Sequence, residues 1–265
     1  MNFSAISPKT LVGKAIRLPL RLIPANARVR VIQGPLRGSR WIAGASIHGC
    51  WLGSYEWEKQ RKFCEVVRRG DVVYDLGANV GFYTLLASVL AGADGKVYSF
   101  EPSPRNLRLL RTHLELNHVD NVSVVDVAVS SSDGCAQFDL GPDPSMGHLR
   151  QGQSNAIGVR TAALDTLVFS SQILPPSVIK CDIEGGEYEA LMGARRMIVQ
   201  YHPTILLATH GDEVHARCCR LLTELRYELT PLDRRPLEEA REILATDRRF
   251  QDAISTRADQ ASGGA

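Results

Sequence analysis

The feature that most constrains the fold is an apolar run that leads through a glycine-containing loop into a second apolar segment. Residues 72–84 read VVYDLGANVGFYT. The run VVYDL predicts a buried strand, and VGFYTLLASVLA predicts the helix that follows. Glycines allow a sharp turn between the two and let a ligand approach bare backbone at the unpaired N–H groups of the helix N-terminus. The segment therefore indicates that a nucleotide-like ligand binds at the end of a parallel strand.

The alternation of strands and helices continues along most of the chain. Further strands are predicted at KVYSFEP, NVSVVDVAVS, SVIKCDI and PTILLATH, and helices at PRNLRLLRTHLELN, GGEYEALMGARRMIV and DEVHARCCRLLTELRY. YELTPLD and EILAT then predict a final antiparallel pair. Because alternating strands and helices form parallel βαβ units, we expect an α/β fold with a Rossmann-like, mostly parallel seven-stranded sheet and helices on both faces.

Three regions follow from this alternation. Residues 1–55 are a small N-terminal extension, with a helix expected near residues 7–17 and a hairpin from ARVRVIQG and SRWIAG. Residues 56–249 form the α/β domain, which carries a hairpin-like insertion around a Gly-, Pro-, Ser- and Gln-rich loop at 141–155. Residues 250–265 lose periodicity and are predicted to be a disordered tail.

Charge is distributed unevenly along the chain. Residues 1–55 hold eight Lys or Arg and no Asp or Glu, and since the whole chain carries +2, the remaining residues carry −6. A basic extension of this kind suits an anionic membrane surface, so peripheral membrane contact is one hypothesis, and a solvated leader to the domain is the other. No run of about eighteen apolar residues occurs, which argues against a transmembrane span.

The cysteines give no sign of a metal clamp or a disulfide framework. Six cysteines occur, none of them in a C-x-x-C pair. With 44% apolar residues the chain can build an ordinary core without cross-links. We therefore expect the cysteines to be small buried apolar residues in a reducing compartment, and we predict a cytoplasmic protein.

Acidic residues lie at the ends of three successive predicted strands. They are Asp75, Glu101 at the end of KVYSFE, and Asp126 at the end of NVSVVD. A carboxylate at the tip of the second strand can accept both ribose hydroxyl protons, and Asp126 is placed to accept from an adenine amino group. Each of them alone is commonly a helix cap or a solvated turn. Together they indicate a nucleoside ligand.

Asn79 separates two classes of nucleoside cofactor. It occupies the middle position of an otherwise G-x-G-x-x-G-like loop. A pyrophosphate needs glycine there so that the backbone can approach it, whereas a methionine carboxylate and an adenosine ring make fewer demands. With Glu101 and Asp126, Asn79 favours S-adenosylmethionine. A nicotinamide-dependent oxidoreductase and a non-catalytic nucleoside-binding protein are the alternatives.

The predicted catalytic residues follow the fourth and fifth strands. Asp182 lies at the end of SVIKCDI, Glu184 and Glu187 follow it, and His210 comes directly after ILLAT. In an open α/β sheet the ligand crevice lies outside these carboxyl ends. We hypothesise that Asp182 or His210 is the general base and that Glu184 or Glu187 orients the substrate hydroxyl. Acidic residues that only stabilise a helix N-terminus are the structural alternative.

A divalent metal is an alternative to a proton-accepting side chain. Asp182 with Glu184, Glu187 or His210 would offer carboxylate and imidazole ligands. A bound metal would lower the pKa of a substrate hydroxyl directly. The sequence leaves the metal site open.

Taken together, these motifs resemble those of the FkbM family of methyltransferases. The segments that resemble the family are GSYE, DLGANVGFYT, SFEPSP, VDVAVS, LDTL and IKCDIEGGEYEALMGA, which lie between residues 53 and 194. The resemblance itself extends to about residue 244. It implies a class I methyltransferase fold, S-adenosylmethionine as cofactor and S-adenosylhomocysteine as product. It also implies hydroxyl acceptors on sugars, glycolipids, polysaccharides or polyketide-type natural products. A nucleic-acid partner is not expected, because no N-P-P-Y-type motif follows the fourth strand and the basic residues lie outside the core domain.

The motifs assign a set of cofactor-binding residues. These are Tyr55, Glu56, Asp75, Gly77, Ala78, Asn79, Gly81, Phe82, Glu101, Pro102, Ser103, Asp126, Val127 and Asp182. The chain departs from the family where LLATH replaces an acidic residue that often ends the fifth strand, which raises the interest of His210. The aromatic residues Trp41, Trp51, Tyr55 and Trp57 are expected either to line the acceptor pocket or to pack the extension onto the domain.

Overall fold

The structure, a computed structural model, describes residues 19–139, 148–149 and 156–247. The helix expected near residues 7–17, nearly all of the loop at 141–155 and the tail at 250–265 therefore lie outside the described residues.

The core of the molecule is a seven-stranded sheet in the order β12–β13–β11–β10–β3–β4–β5. Its strands are β3 (Val72–Leu76), β4 (Lys96–Phe100), β5 (Val122–Val125), β10 (Val178–Cys181), β11 (Thr204–Ala208), β12 (Tyr227–Pro231) and β13 (Glu242–Asp247). All neighbours pair in parallel except β13, which is antiparallel to both β11 and β12. The predicted fold class and the final antiparallel pair are confirmed.

Eight α-helices occur among the described residues. They are α1 (Gly49–Leu52), α2 (Trp57–Val66), α3 (Phe82–Ala91), α4 (Pro104–Leu116), α5 (Leu164–Phe169), α6 (Glu187–Met192), α7 (Arg195–Tyr201) and α8 (Asp212–Glu224). Within this part of the chain, no helix combines the length and the apolar composition needed to cross a bilayer.

Two predicted elements are each divided in the structure. GGEYEALMGARRMIV forms α6 and α7 because Asp165 takes the hydrogen bonds that would continue the helix. Its N–H donates to the Gly193 carbonyl at 2.8 Å, and its carboxylate accepts the backbone N–H groups of Arg196 and Met197 at the start of α7. NVSVVDVAVS forms β5 and the separate strand β6 (Ala128–Val129), since the chain leaves the main sheet after β5. The pattern of apolar residues is continuous in both cases, so neither break is visible in it.

The insertion forms a second, four-stranded sheet. Its order is β6–β9–β7–β8, with β7 (Gly134–Asp139), β8 (His148–Leu149) and β9 (Ala156–Ala162). The antiparallel pairing of β7 with β9 confirms the predicted hairpin-like arrangement. This small sheet lies beyond the end of β5, where it can complete the wall of a site at that edge.

The N-terminal hairpin packs directly on the main domain. β1 (Arg28–Arg30) and β2 (Arg40–Ile42) pair as predicted. Trp41 of β2 is fully buried and stacks on His113 of α4 with 3.8 Å between ring centroids. Trp41 and Trp51 share one apolar cluster with Phe82 of α3. Of the two roles expected for the aromatic residues, packing the extension onto the domain is the one that Trp41 and Trp51 show.

Candidate active site

A cavity of about 500 Å³ lies at the carboxyl ends of β3, β10 and β11. Residues 46–59, here called the covering segment, close one side of it. A smaller cavity of about 60 Å³ adjoins it at the end of β4. The two share Gly77, Asn79, Asp182 and Glu184 in their walls. They therefore form one elongated site at the edge of the sheet where the sequence predicts the crevice.

The loop between β3 and α3 is folded so that its backbone forms the floor of the site. Gly77 has φ +75°, and a Cβ there would lie 2.0 Å from the Asp182 carbonyl oxygen. The N–H groups of Gly77 and Ala78 both donate to the Phe100 carbonyl at 3.0 Å. Asn79 also has a positive φ of 50°, a conformation that asparagine tolerates better than most residues. Residues that adopt a positive φ readily, here Gly77 and Asn79, bring the loop this close to the end of β10.

Glu101 is fixed at the smaller cavity by three hydrogen bonds. Its Oε2 accepts from the Asn79 N–H at 2.8 Å, and its Oε1 accepts from the Ser103 N–H at 2.8 Å and from Asn106 Nδ2 at 3.3 Å. Burial raises the pKa of Glu101, and these hydrogen bonds oppose that rise. The carboxylate is pre-oriented in the wall of the smaller cavity, as its predicted ribose-binding role requires.

Most of the predicted cofactor-binding residues lie in the cavity walls. Those that do are Tyr55, Glu56, Gly77, Ala78, Asn79, Phe82, Glu101, Pro102, Val127 and Asp182. Gly81 and Ser103 do not line either cavity; Gly81 instead sits against Leu110 at the start of α3, and the Ser103 N–H holds Glu101.

Asp75 differs from its prediction as a ligand-contacting residue. It is fully buried, accepts the Thr84 hydroxyl at 2.7 Å and pairs with Lys180 Nζ at 3.2 Å. It lines neither cavity, because its side chain lies beneath the loop, whereas Lys180 does line the larger one. Asp75 therefore acts on the site through Lys180, whose Nζ also donates to the Gly77 carbonyl at 3.0 Å.

Asp126 is not among the residues that line the smaller cavity. Its side chain is about half exposed and pairs with Arg160 of β9 at 2.6 Å. Its neighbour Val127 and Phe138 of β7 line the cavity instead. A contact between Asp126 and an adenine amino group stays a prediction.

A buried ammonium group joins three acidic residues on the side of the covering segment. Lys59 Nζ lies 3.0 Å from Glu56 Oε2, 3.0 Å from Asp182 Oδ2 and 2.8 Å from Glu242 Oε1. Burial alone would raise the pKa of Asp182, but Lys59 and Lys180 outweigh it and hold that pKa well below its usual range. Asp182 is therefore ionised and a weak base.

His210 and Glu187 form a second hydrogen-bonded unit. His210 Nδ1 lies 2.9 Å from Glu187 Oε1, while Nε2 faces Glu184 at 3.5 Å and Asp182 at 3.7 Å. The hydrogen bond to Glu187 raises the pKa of His210, and burial opposes that rise. His210 lines the cavity, so the predicted residue is placed where it can contact a substrate.

Glu187 differs from its prediction as a residue that contacts the substrate hydroxyl. Its side chain is fully buried and lines neither cavity. Besides His210, its Oε1 accepts the N–H groups of Gly185 at 3.0 Å and Ile183 at 3.3 Å. Glu187 lies at the start of α6, behind His210, so it orients the imidazole and the 183–185 turn.

Asp182, Glu184 and His210 are also the described residues that could hold a metal ion. One ligand atom from each lies within 4.8 Å of the others. The donors are two carboxylates and one imidazole, a set that divalent metals accept. Lys59, whose ammonium contacts the other oxygen of Asp182, competes electrostatically with a cation there.

Several lining residues were missed in the sequence. They are Lys59, Lys180, Arg241 and Glu242 in the larger cavity and Phe138 in the smaller one. Lys180 directly precedes Cys181 and Asp182 at the end of the predicted fourth strand, so its place near the site could have been predicted from the sequence. The others come from segments distant in sequence and carry no local signal. Of the four aromatic residues considered for the acceptor pocket, Tyr55 alone is among its described lining residues.

The sheet order, with one antiparallel strand next to the edge, and the site at the carboxyl ends of its strands define the class I methyltransferase fold. Residues 75–229 match the family described as Methyltransferase FkbM domain. The chain therefore belongs to the FkbM methyltransferase family and is an S-adenosylmethionine-dependent methyltransferase. Family membership decides against the nicotinamide-dependent oxidoreductase that the loop alone left open.

The chain is also similar to individual proteins. The chain is 27% identical over 176 residues to the hexuronic acid methyltransferase AglP of Haloferax volcanii, which covers 66% of this chain and 71% of AglP. The crystal structure of an FkbM methyltransferase from Methylobacillus flagellatus matches with 17% identity and a TM-score of 0.46. This match covers 75% of the present chain but only about half, 53%, of the Methylobacillus chain. Fibrillarin from Aeropyrum pernix, crystallised with natively bound S-adenosylmethionine, matches with 16% identity and a TM-score of 0.44 over 72% of this chain and 76% of fibrillarin.

Proposed function

We propose that this enzyme transfers the methyl group of S-adenosylmethionine to a hydroxyl group of a sugar or sugar-containing acceptor. Two observations support it. The relative AglP is named for a hexuronic acid, a sugar. The larger cavity, at about 500 Å³, is in the size range of small-molecule sites and is lined by Glu184, Arg241 and other groups that hydrogen-bond hydroxyls.

The observation that carries the catalytic part of the proposal is the His210–Glu187 hydrogen bond. Because Nδ1 donates to the buried Glu187 carboxylate, the neutral tautomer carries its lone pair on Nε2, which faces the cavity beside Glu184 and Asp182. Of the two bases considered in the sequence, His210 is favoured over Asp182, since the paired Asp182 carboxylate is a weak base. We assign Glu184, which also lines the cavity, to orienting the acceptor hydroxyl.

The chain's residues then perform three tasks. The bound cofactor supplies an electrophilic methyl group on a sulfonium. Alignment of the acceptor oxygen with that group is worth roughly 7–11 kcal/mol of the barrier in well-oriented systems. His210 Nε2 takes the hydroxyl proton as the oxygen attacks, which contributes on the order of 10²–10⁴ in rate. Glu187 keeps the imidazole oriented throughout and stabilises its protonated form.

The test is the His210→Asn variant, with His118→Asn as the matched control. His118 is exposed at the end of α4, remote from the cavity walls. His210→Asn should lower kcat by on the order of 10²–10⁴ on a uronic acid acceptor and leave the Kd of S-adenosylhomocysteine within about threefold. Wild-type kcat in His210→Asn would refute His210 as the base. Absence of methyl transfer by wild type to any sugar acceptor would refute the acceptor class.

A divalent cation held by Asp182, Glu184 and His210 is the second candidate for activating the hydroxyl. It is supported by the 4.8 Å cluster of their ligand atoms. Activity lost in chelator and restored by Mg²⁺ or Mn²⁺ would favour the metal over the histidine base. Unchanged turnover in chelator would favour the base. The Lys59 ammonium beside Asp182 makes the second result the expected one.

Contact with an anionic membrane surface is a further part of the proposed function. Arg28, Arg30 and Arg40 are exposed on the N-terminal hairpin, and none of them is paired with an acidic residue in the described part of the chain. Ile32, two residues after β1, is about half exposed and offers apolar surface near them. Sedimentation with anionic vesicles, but not with neutral ones, would support the contact, and no sedimentation with either would refute it.

A further inference from the structure

Lys59 has an environment that stability alone does not explain. Its ammonium is 4% exposed and lies within 3.0 Å of three carboxylates. Burial lowers the pKa of Lys59, but Asp182, Glu56 and Glu242 outweigh burial and raise it, so the group is charged. A buried ion pair is often no more stabilising than apolar residues of the same volume. Three carboxylates around one ammonium also repel one another, which adds a cost.

The surplus negative charge lies in the cavity itself. Glu56, Lys59, Asp182 and Glu242 all line it. The other basic groups that line it each have an acidic partner outside its walls: Lys180 pairs with Asp75, Arg241 with Asp212 and His210 with Glu187. Glu184 adds a further carboxylate to the lining, so the surplus is not neutralised. A net negative wall is matched by a cationic ligand, and S-adenosylmethionine, with its sulfonium, is such a ligand. The product S-adenosylhomocysteine lacks that charge.

The three contacts also connect distant parts of the chain. Lys59 lies on α2 and Glu56 precedes that helix, whereas Asp182 follows β10 and Glu242 begins β13. Because Lys59 holds Asp182 through Oδ2, Oδ1 is left to face His210 Nε2 at 3.7 Å. One side chain therefore joins the covering segment to the sheet and sets which carboxylate oxygen faces the reacting groups.

We propose that Lys59 is a positioning residue of the methyl-transfer site, which orients Asp182, anchors the covering segment and sets the negative charge that the cavity presents to the sulfonium. This inference rests on the cofactor of the family and not on the identity of the acceptor. It extends the site to a residue that the cofactor motifs do not contain.

The test compares the affinities of the charged cofactor and its uncharged product by calorimetric titration. Lys59→Met removes a positive charge, so the ratio Kd(S-adenosylhomocysteine)/Kd(S-adenosylmethionine) should rise. Glu242→Gln removes a negative charge, so the same ratio should fall. Unit charges roughly 10 Å apart at an effective dielectric constant of about 20 interact strongly enough to change the ratio about fifteenfold in each direction. A purely structural defect would weaken both ligands together and leave the ratio unchanged.

Three further variants complete the test. Lys62→Met is the matched control, since Lys62 lies on the same helix, pairs with the surface residue Glu65 at 2.6 Å and lines neither cavity. It should keep the wild-type ratio. Lys59→Arg should restore the ratio that Lys59→Met loses. In Lys59→Met combined with Asp182→Asn, the loss of kcat should be no larger than in the more damaging single variant, because both act through one contact.

The proposal is overturned if Lys59→Met and Glu242→Gln shift the ratio in the same direction or leave it unchanged. Additive losses of kcat in the double variant would also overturn it. If Lys59→Met does not fold, Glu242→Gln decides alone: a lower ratio supports the proposal, and a wild-type ratio refutes it. Because every decisive readout except the double variant is a binding ratio without acceptor, failure here is distinguishable from failure of the proposed sugar acceptor.

Discussion

His113 should make this protein unusually sensitive to mild acid. The side chain is fully buried under Trp41 and is hydrogen-bonded through both nitrogens. Nδ1 donates to the Val80 carbonyl at 2.7 Å, and Nε2 accepts the Ile42 N–H at 3.1 Å. The neutral ring therefore joins the N-terminal hairpin to the loop that precedes α3. Protonation of Nε2 would turn this nitrogen into a donor, so it could no longer accept the Ile42 N–H.

The loss of folding free energy in acid follows from the difference in proton binding between the folded and unfolded chains. Burial, opposed by the hydrogen bond to Val80, lowers the pKa of His113 from 6.5 to about 4 in the folded protein. Between these values the unfolded chain binds more protons than the folded one, so stability falls as pH falls. At about 1.4 kcal/mol per pH unit, the loss from pH 7 to pH 4 is about 3 kcal/mol, a large part of a typical 5–15 kcal/mol. Below pH 4 this group contributes only about 0.4 kcal/mol of further loss, because the folded protein then binds the proton as well.

Urea unfolding at pH 7, 5.5 and 4 measures the effect. His113→Gln, which does not titrate, should be less stable than wild type at pH 7 but should lose about 3 kcal/mol less between pH 7 and pH 4. Carboxylates that titrate in the same range are common to both proteins and cancel in the comparison. The exposed His118→Gln variant is the control and should follow wild type. Equal pH dependence of wild type and His113→Gln would refute the reasoning.

Three other predictions concern the site. Gly77→Ala should abolish binding of S-adenosylhomocysteine, because the added Cβ would lie 2.0 Å from a carbonyl oxygen. The control is Gly70→Ala, at a similar φ of +85° with open space around it, which should cost about 1 kcal/mol of stability and leave binding intact. Calorimetric titration of the two variants with S-adenosylhomocysteine separates these outcomes. Glu101→Gln should raise the Kd of S-adenosylhomocysteine at least about tenfold without changing the acceptor KM, and an unchanged Kd would contradict its ribose role. Glu187→Gln should shift the acidic limb of the kcat profile to lower pH, because the carboxylate raises the pKa of His210; a shift to higher pH would contradict the dyad.

The sequence by itself determined the fold class, the position of the cofactor loop and most of its lining. These rest on local rules: strand–helix alternation, the positive φ that Gly77 and Asn79 adopt readily, and acidic residues at strand ends, which a parallel sheet brings to one edge. Glu101 and Asp182 could be placed for that reason. His210 could also be placed, since the fifth strand ends beside the fourth.

The tertiary structure alone decided which of these side chains face the ligand. Asp75 and Glu187 obey the same strand-end and helix-start rules as Glu101, yet packing turns them inward, where they hold Lys180 and His210. The partners of Lys59 lie as far as 183 residues away, and no local pattern records such contacts. Local propensity specifies where a strand ends. The direction in which a buried charged side chain points depends on which distant groups can compensate its charge. Those groups come together only when the sheet and the covering segment are assembled.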